Sequence, residues 1–256
     1  MPSYVAHIKK WKDRAKIDFF TEFVKAWIPF NAWYNQSYTE AKNDREILNE
    51  IKNNSCVKTK LKRLLENDDT DANNFKNKLE NFHEILENLQ LKNNSFDVNF
   101  TNVVIERNNK KERKKNSRGI EYCAIYSNNK YCATVTTSYG EKTLNYSHTE
   151  YDIDHFEENV RNSGISDTQV GDIRSCFKDI NPYIPQNLIT TDESNCLRVG
   201  KFKFVNNSDL ISKAIIENIY SLRCMLFHGS IEPREDTEKL YENAYYILKA
   251  FLEAIE

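Results

Sequence analysis

The residues best suited to chemistry stand together near the C-terminus, in Arg223-Cys224-Met225-Leu226-Phe227-His228-Gly229-Ser230. Arginine offers a permanent charge on a planar fork that matches phosphate oxygens, and histidine takes or gives a proton near neutrality. Together they are the minimum for cutting RNA without a metal. A base draws the proton from the ribose 2′-hydroxyl, the cation stabilises the more negative phosphorane, and an acid protonates the departing 5′-oxygen. Gly229 is a natural C-terminal cap, which predicts that both residues fall in or near the last turns of a helix. Five residues at about 100° each leave Arg223 and His228 about 140° apart around such a helix. Either the helix loosens over 227–229, or two copies of the segment face each other and each phosphate meets residues from both.

A second concentration of charge lies at 107–118. Seven basic residues (Arg107, Lys110, Lys111, Arg113, Lys114, Lys115 and Arg118) face a single acid, Glu112. Two readings are open: a solvated loop, or an arm in which Lys110, Lys111, Arg113, Lys114 and Lys115 grip phosphates without reading bases. Asn31 and Asn35, four residues apart, fall on one helical face and are candidates to point into a polar cleft. In an extended strand His148, Glu150, Asp152 and Asp154 would share a face suited to a metal, but Asp154 followed by Glu157 also reads as a capping box opening a helix. The cap is the reading taken, and no metal is assigned. His83 reads as a helix-surface or boundary imidazole. Phosphate loops, dinucleotide fingerprints, nucleophile elbows and H-E-x-x-H are all missing from the sequence, and six glycines are too few for a backbone phosphate cradle. No cofactor is expected.

The chain has 256 residues, enough for one sizeable core or for a core with a substantial insertion, and the strand-rich middle reads as an insertion or a separate second domain. Lys and Arg total 36 against 38 Asp and Glu, so a polyanion site must come from local clustering. Six cysteines without a C-x-x-C pair read as reduced thiols. The uncharged run 26–39 carries Pro29 and polar residues and falls well short of the ~20 apolar residues that span a bilayer, so the expectation is a cytoplasmic protein with no membrane partner.

Phe20, Phe23, Trp27, Phe30, Tyr34 and Tyr38 step by three or four, predicting a core-facing helix that bends at Pro29 or splits there into two nearly in line. From 44 to about 93 the period stays helical. It then alternates, predicting strands at 100–106, 120–127 and 131–138, with Asn128-Asn129 as a tight hairpin turn. Ser166 and Gln169 open a further helix, and 196–205 reads as a strand or short hairpin. Ile211, Ile215, Ile219, Leu222 and Leu226 form the seam of a long helix, and a last helix after Pro233 should pair with it antiparallel.

Two stretches resemble a known family. Arg223, four residues and His228 match the R-x4-6-H motif of HEPN domains. Phe23-Val24-Lys25-Ala26-Trp27-Ile28-Pro29-Phe30-Asn31-Ala32-Trp33-Tyr34-Asn35 is similar to the first-helix signature of the Apea-like HEPN group. The resemblance implies a mainly α fold, a HEPN-type antiparallel helical bundle interrupted by an inserted small antiparallel β-containing subdomain. On this reading 1–95 and 206–256 form the bundle and 96–205 is the insertion. The resemblance further implies a homodimer with the motif at its interface, metal-independent endoribonuclease activity on tRNA or other structured RNA with Arg223 and His228 as catalytic residues, and an antitoxin or defence-system partner. The other class of function is a non-catalytic RNA-sensing or protein-interaction module. The chain departs from the family where a polar residue, often Asn, commonly follows the Arg: Cys224 and Met225 stand there. Ser230 stands where HEPN toxins silenced by nucleotidyl transfer carry a Tyr.

Overall fold

The computed structural model describes residues 17–255, about half of them helical, with small antiparallel sheets. The chain forms two compact units. One is helical and contains residues 17–105 and 185–255; the other spans 106–184. The sequence reading placed 96–105 and 185–205 in the insertion, whereas both segments pack with the helices.

In the helical unit, α1 (Phe19–Ser37) runs unbroken through Pro29 and buries Phe23, Trp27, Phe30 and Tyr34. The Asp18 carboxylate accepts from the backbone N–H of Phe20 at 3.1 Å and starts the helix. Then come α2 (Asp44–Asn53), α3 (Cys56–Glu66) and α4 (Thr70–Leu89), capped by Asn43, Ser55 and Asp69. A minimal hairpin of β1 (Lys92–Asn93) and β2 (Phe96–Asp97) follows. The strand expected at 100–106 is not one. Phe100, Val103 and Ile105 are buried in the core, but only Val103 forms a bridge, to Gln186.

The strands β3 (Glu112–Ser117), β4 (Ile120–Ser127), β5 (Lys130–Thr136) and β6 (Lys142–His148) form a four-stranded antiparallel meander in that order, within the second unit. The expected turn at Asn128-Asn129 is present, with both residues at positive φ. The second half of the basic segment is not a loop, since 112–117 form the edge strand β3. Helices α5 (Ile153–Asn162) and α6 (Asp167–Asp179) follow the meander. Tyr122, Ala124, Ala133, Val135, Leu144 and Tyr146 of the sheet share a core with Phe156 and Phe177 of these helices. Asp152, not Asp154, caps α5, its carboxylate accepting from the His155 N–H at 2.9 Å. Ser166 and Gln169 do form a capping box for α6.

The chain returns to the helical unit with the hairpin β7 (Cys196–Val199) and β8 (Phe202–Val205), then α7 (Ser208–Phe227) and α8 (Glu235–Leu252). Aromatic contacts pair Phe20 and Phe23 with Tyr241 and Phe30 with Phe251, so α1 and α8 run alongside in the same direction. The last two helices are tied by the Tyr241 hydroxyl donating to the Leu222 carbonyl at 2.8 Å, but α8 comes closest to α1 and α4, and α7 to α2 and α3.

Candidate functional site

Helix α7 ends in a Schellman motif. The Ser230 N–H donates to the Met225 carbonyl at 2.8 Å, that of Gly229 to Leu226 at 3.2 Å, and Gly229 takes a φ of 67°. His228 is therefore the C-cap, outside the helix proper, and its side chain is exposed. Its imidazole makes no hydrogen bond, ion pair or ring contact among the described residues, whereas Arg223, still inside the helix, is deeply engaged. One chain does not bring the two together.

The surroundings of Arg223 come from three helices. Its guanidinium carbon lies 4.8 Å from the centroid of Phe227, 5.8 Å from Trp27 and 6.0 Å from Tyr220, so aromatic rings from α1 and α7 wall it in. From α2, the Asp44 carboxylate stands 3.8 Å from Nη2. Tyr34 on α1 lies against the same carboxylate, and Asn31 donates its amide N–H to the Tyr34 hydroxyl. Burial raises the pKa of Tyr34, and the Asp44 charge adds to the shift. Asn35 instead donates to the Asn31 carbonyl at 2.9 Å and faces solvent. Of the two asparagines, only Asn31 reaches the Arg223 group.

Next to Asp44, Arg45 extends the site along α7. Its Nη1 is 2.6 Å from the Glu217 carboxylate, and its guanidinium carbon is 5.1 Å from the centroid of Tyr220. Glu217, Tyr220 and Arg223 recur at three-residue spacing and so share the helix face turned toward the start of α2. Glu217 also pairs at 2.8 Å with Lys52, whose side chain is 1% exposed and donates as well to the Ile105 carbonyl. The ion-paired group thus holds three cations against two carboxylates. Two buried donors, Arg223 Nε and Trp27 Nε1, have no acceptor among the described residues. An excess of positive charge and of donors is what a site for an anion requires.

The positions expected to be polar in the motif are occupied otherwise. Met225 is buried in the core, and the Cys224 sulfur lies 3.9 Å from Arg223 Nη1. Burial, with Cys224 and Asp44 adding to it, pushes the Tyr220 hydroxyl pKa well up.

The basic residues of 107–118 are largely paired. Lys110 and Arg113 reach Asp179 at 3.1 and 3.3 Å, Lys115 reaches Asp172 at 2.7 Å, and Lys114 reaches Glu112 at 2.9 Å. Arg107 stacks over Tyr183 at 5.6 Å, and Lys111 has no acidic partner among the described residues.

His148 ends β6 and Asp152 caps α5, so the extended strand that would align His148, Glu150, Asp152 and Asp154 does not exist. The His148 and His155 rings sit 4.7 Å apart, with the Tyr146 hydroxyl 3.2 Å from His155 Nδ1. No group of three or more metal-type donors converges among the described residues. His83 is buried, contrary to the surface or boundary reading, among Phe100, Phe202 and Phe204, and burial pulls its pKa down to about 4.

No family model, curated protein or solved structure matches this chain. No helix among the described residues is long and apolar enough to cross a membrane.

The residues that sequence reading missed are Asp44, Arg45 and Tyr220, together with the polar role of Tyr34. Asp44 and Arg45 read only as the start of a helical stretch, and Tyr34 as one more member of the aromatic stripe. The spacing of Glu217, Tyr220 and Arg223 opposite the Ile211–Leu226 seam was the available signal.

Proposed function

We propose that the chain is a metal-independent endoribonuclease of HEPN type, in which Arg223 stabilises the phosphorane and His228 acts as general base or acid. The observation that carries this reading is the unbalanced group around Arg223, three cations on two carboxylates with unaccepted N–H donors beside them, one turn from an exposed imidazole. A scissile phosphate would supply the missing negative charge. Because His228 lies apart from Arg223 in one chain, the active form is a homodimer in which the two motifs share a substrate, and the second copy provides the second imidazole. The helical unit serves as the bundle, the 106–184 unit as its insertion, and tRNA or other structured RNA as substrate. A restraining antitoxin or a defence-system partner fits such an activity.

The test is incubation of the purified protein with total tRNA and structured RNA, with and without EDTA, beside Arg223→Ala and His228→Ala. Cleavage should survive EDTA and fall by about 100-fold or more in each variant. Cleavage unchanged in both variants sinks the assignment, and light scattering should report a dimer at micromolar concentration.

One observation favours a non-catalytic RNA-sensing or protein-interaction module: Met225 is buried and Cys224 turns to Arg223, so neither offers the polar contact that family motifs place beside the phosphate. Tight RNA binding without cleavage in the same assay selects that reading.

A further inference from the structure

Arg223 is not the only cation set against Tyr220. Arg45 and Arg223 approach the same ring at 5.1 and 6.0 Å, so their guanidinium carbons are no farther apart than the sum of those distances. The two guanidiniums thus lie close enough to serve one stretch of backbone.

The charge on Arg45 is available. Glu217 is shared with Lys52, and the buried Lys52 is committed to that carboxylate and to the Ile105 carbonyl. The surplus positive charge of the trio therefore emerges through Arg45, whose side chain is 50% exposed and only one of whose nitrogens donates within the described residues. On the other side of Arg223, Phe227 is 52% exposed although its ring rests 4.8 Å from the guanidinium. An aromatic surface open to solvent beside a phosphate-binding cation is a stacking platform for a base, provided that base is not already stacked in a duplex.

We propose that the site takes unpaired RNA, with Arg45 holding the phosphate next to the one on Arg223 and Phe227 stacking the adjoining base. This rests on the reading of Arg223 as a phosphate-binding residue. Arg45 and Phe227 select the substrate: loops, bulges and single-stranded ends satisfy both contacts, and a regular helix cannot present the base.

The probe is a 2′-fluoro oligonucleotide, which lacks the attacking hydroxyl, used single-stranded and annealed to its complement, with binding measured across salt concentrations. The wild-type protein should bind the single strand about tenfold or more tighter than the duplex. Arg45→Gln should reduce the salt slope by about 0.7, the contribution of one phosphate contact, and Arg45→Lys should restore it. Phe227→Leu should weaken single-strand binding about tenfold while leaving the slope intact. Lys52 still neutralises Glu217 in the Arg45 variants and Phe227 is on the surface, so thermal melts matching wild type are expected. Equal binding of duplex and single strand, or an unchanged slope in Arg45→Gln, overturns the proposal. If Arg223→Gln also leaves the slope unchanged, the phosphate reading of Arg223 fails with it; a slope lowered by Arg223→Gln alone spares that reading and removes only the role of Arg45.

Discussion

In the helical unit one carboxylate, Glu217, holds two cations from α2, Lys52 out of water and Arg45 half-exposed; in the 106–184 unit, Asp172 and Asp179 of α6 hold Lys115, Lys110 and Arg113 at the surface. The bond lengths are similar and the environments are not. Water screens the surface pairs, so each can break and re-form at little cost. Lys52 has no such recourse, because its charge is buried and depends on Glu217 and one carbonyl. Rigid placement of charge therefore belongs to the helical unit, where Arg45 and Arg223 are held on one face of α7. The basic edge strand owes its pairing to its neighbours on α6 and blunts an exposed sheet edge with charge.

The contrast is most sharply broken by Glu217→Ala, which strands Lys52 in the core. A loss of about 3–5 kcal/mol in urea denaturation is expected, and Lys52→Met added to it should recover most of that loss. A loss no larger than that of a surface pair would mean that Lys52 finds water.

An intermediate effect comes from a buried group whose desolvation outweighs the carboxylates near it, Glu87 at 3.6 Å and Glu84. His83 has its pKa lowered from 6.5 to about 4, so the fold favours its neutral form. Its contribution to stability is complete above pH 6.5 and is lost as pH falls from 6.5 toward 4, up to about 3 kcal/mol in all, and the fall ends once both states are protonated. In His83→Leu, stability measured across that window should lose this part of its pH dependence; a profile identical to wild type would remove His83 as its source.

The smallest effect is expected in the sheet unit. Lys115→Ala and Asp172→Ala should each leave the unfolding midpoint within error of wild type at 150 mM salt. A clear drop would show that the edge strand depends on its α6 pairs for docking.

These differences also explain what could be read in advance. The aromatic stripe of α1, the Asn128-Asn129 turn, the capping box at Ser166 and the seams of α7 and α8 were legible because each is a local pattern matched to a local cause. Strand β3 was not legible. Its Arg113 and Lys115 face α6 as ion-paired cations, so the alternation that marks a half-buried strand carries no apolar signal there. His83 was misjudged for a related reason: its partners Phe100, Phe202 and Phe204 are remote in sequence.

The sequence by itself determined the helix that carries Arg223 and where it stops, since the Ile211–Leu226 period and Gly229 set both without reference to any other segment. Only the tertiary structure decided what surrounds that arginine. Trp27, Tyr34, Asp44 and Arg45 lie 178 to 196 residues earlier and reach it through helix packing, a long-range choice that no local periodicity encodes.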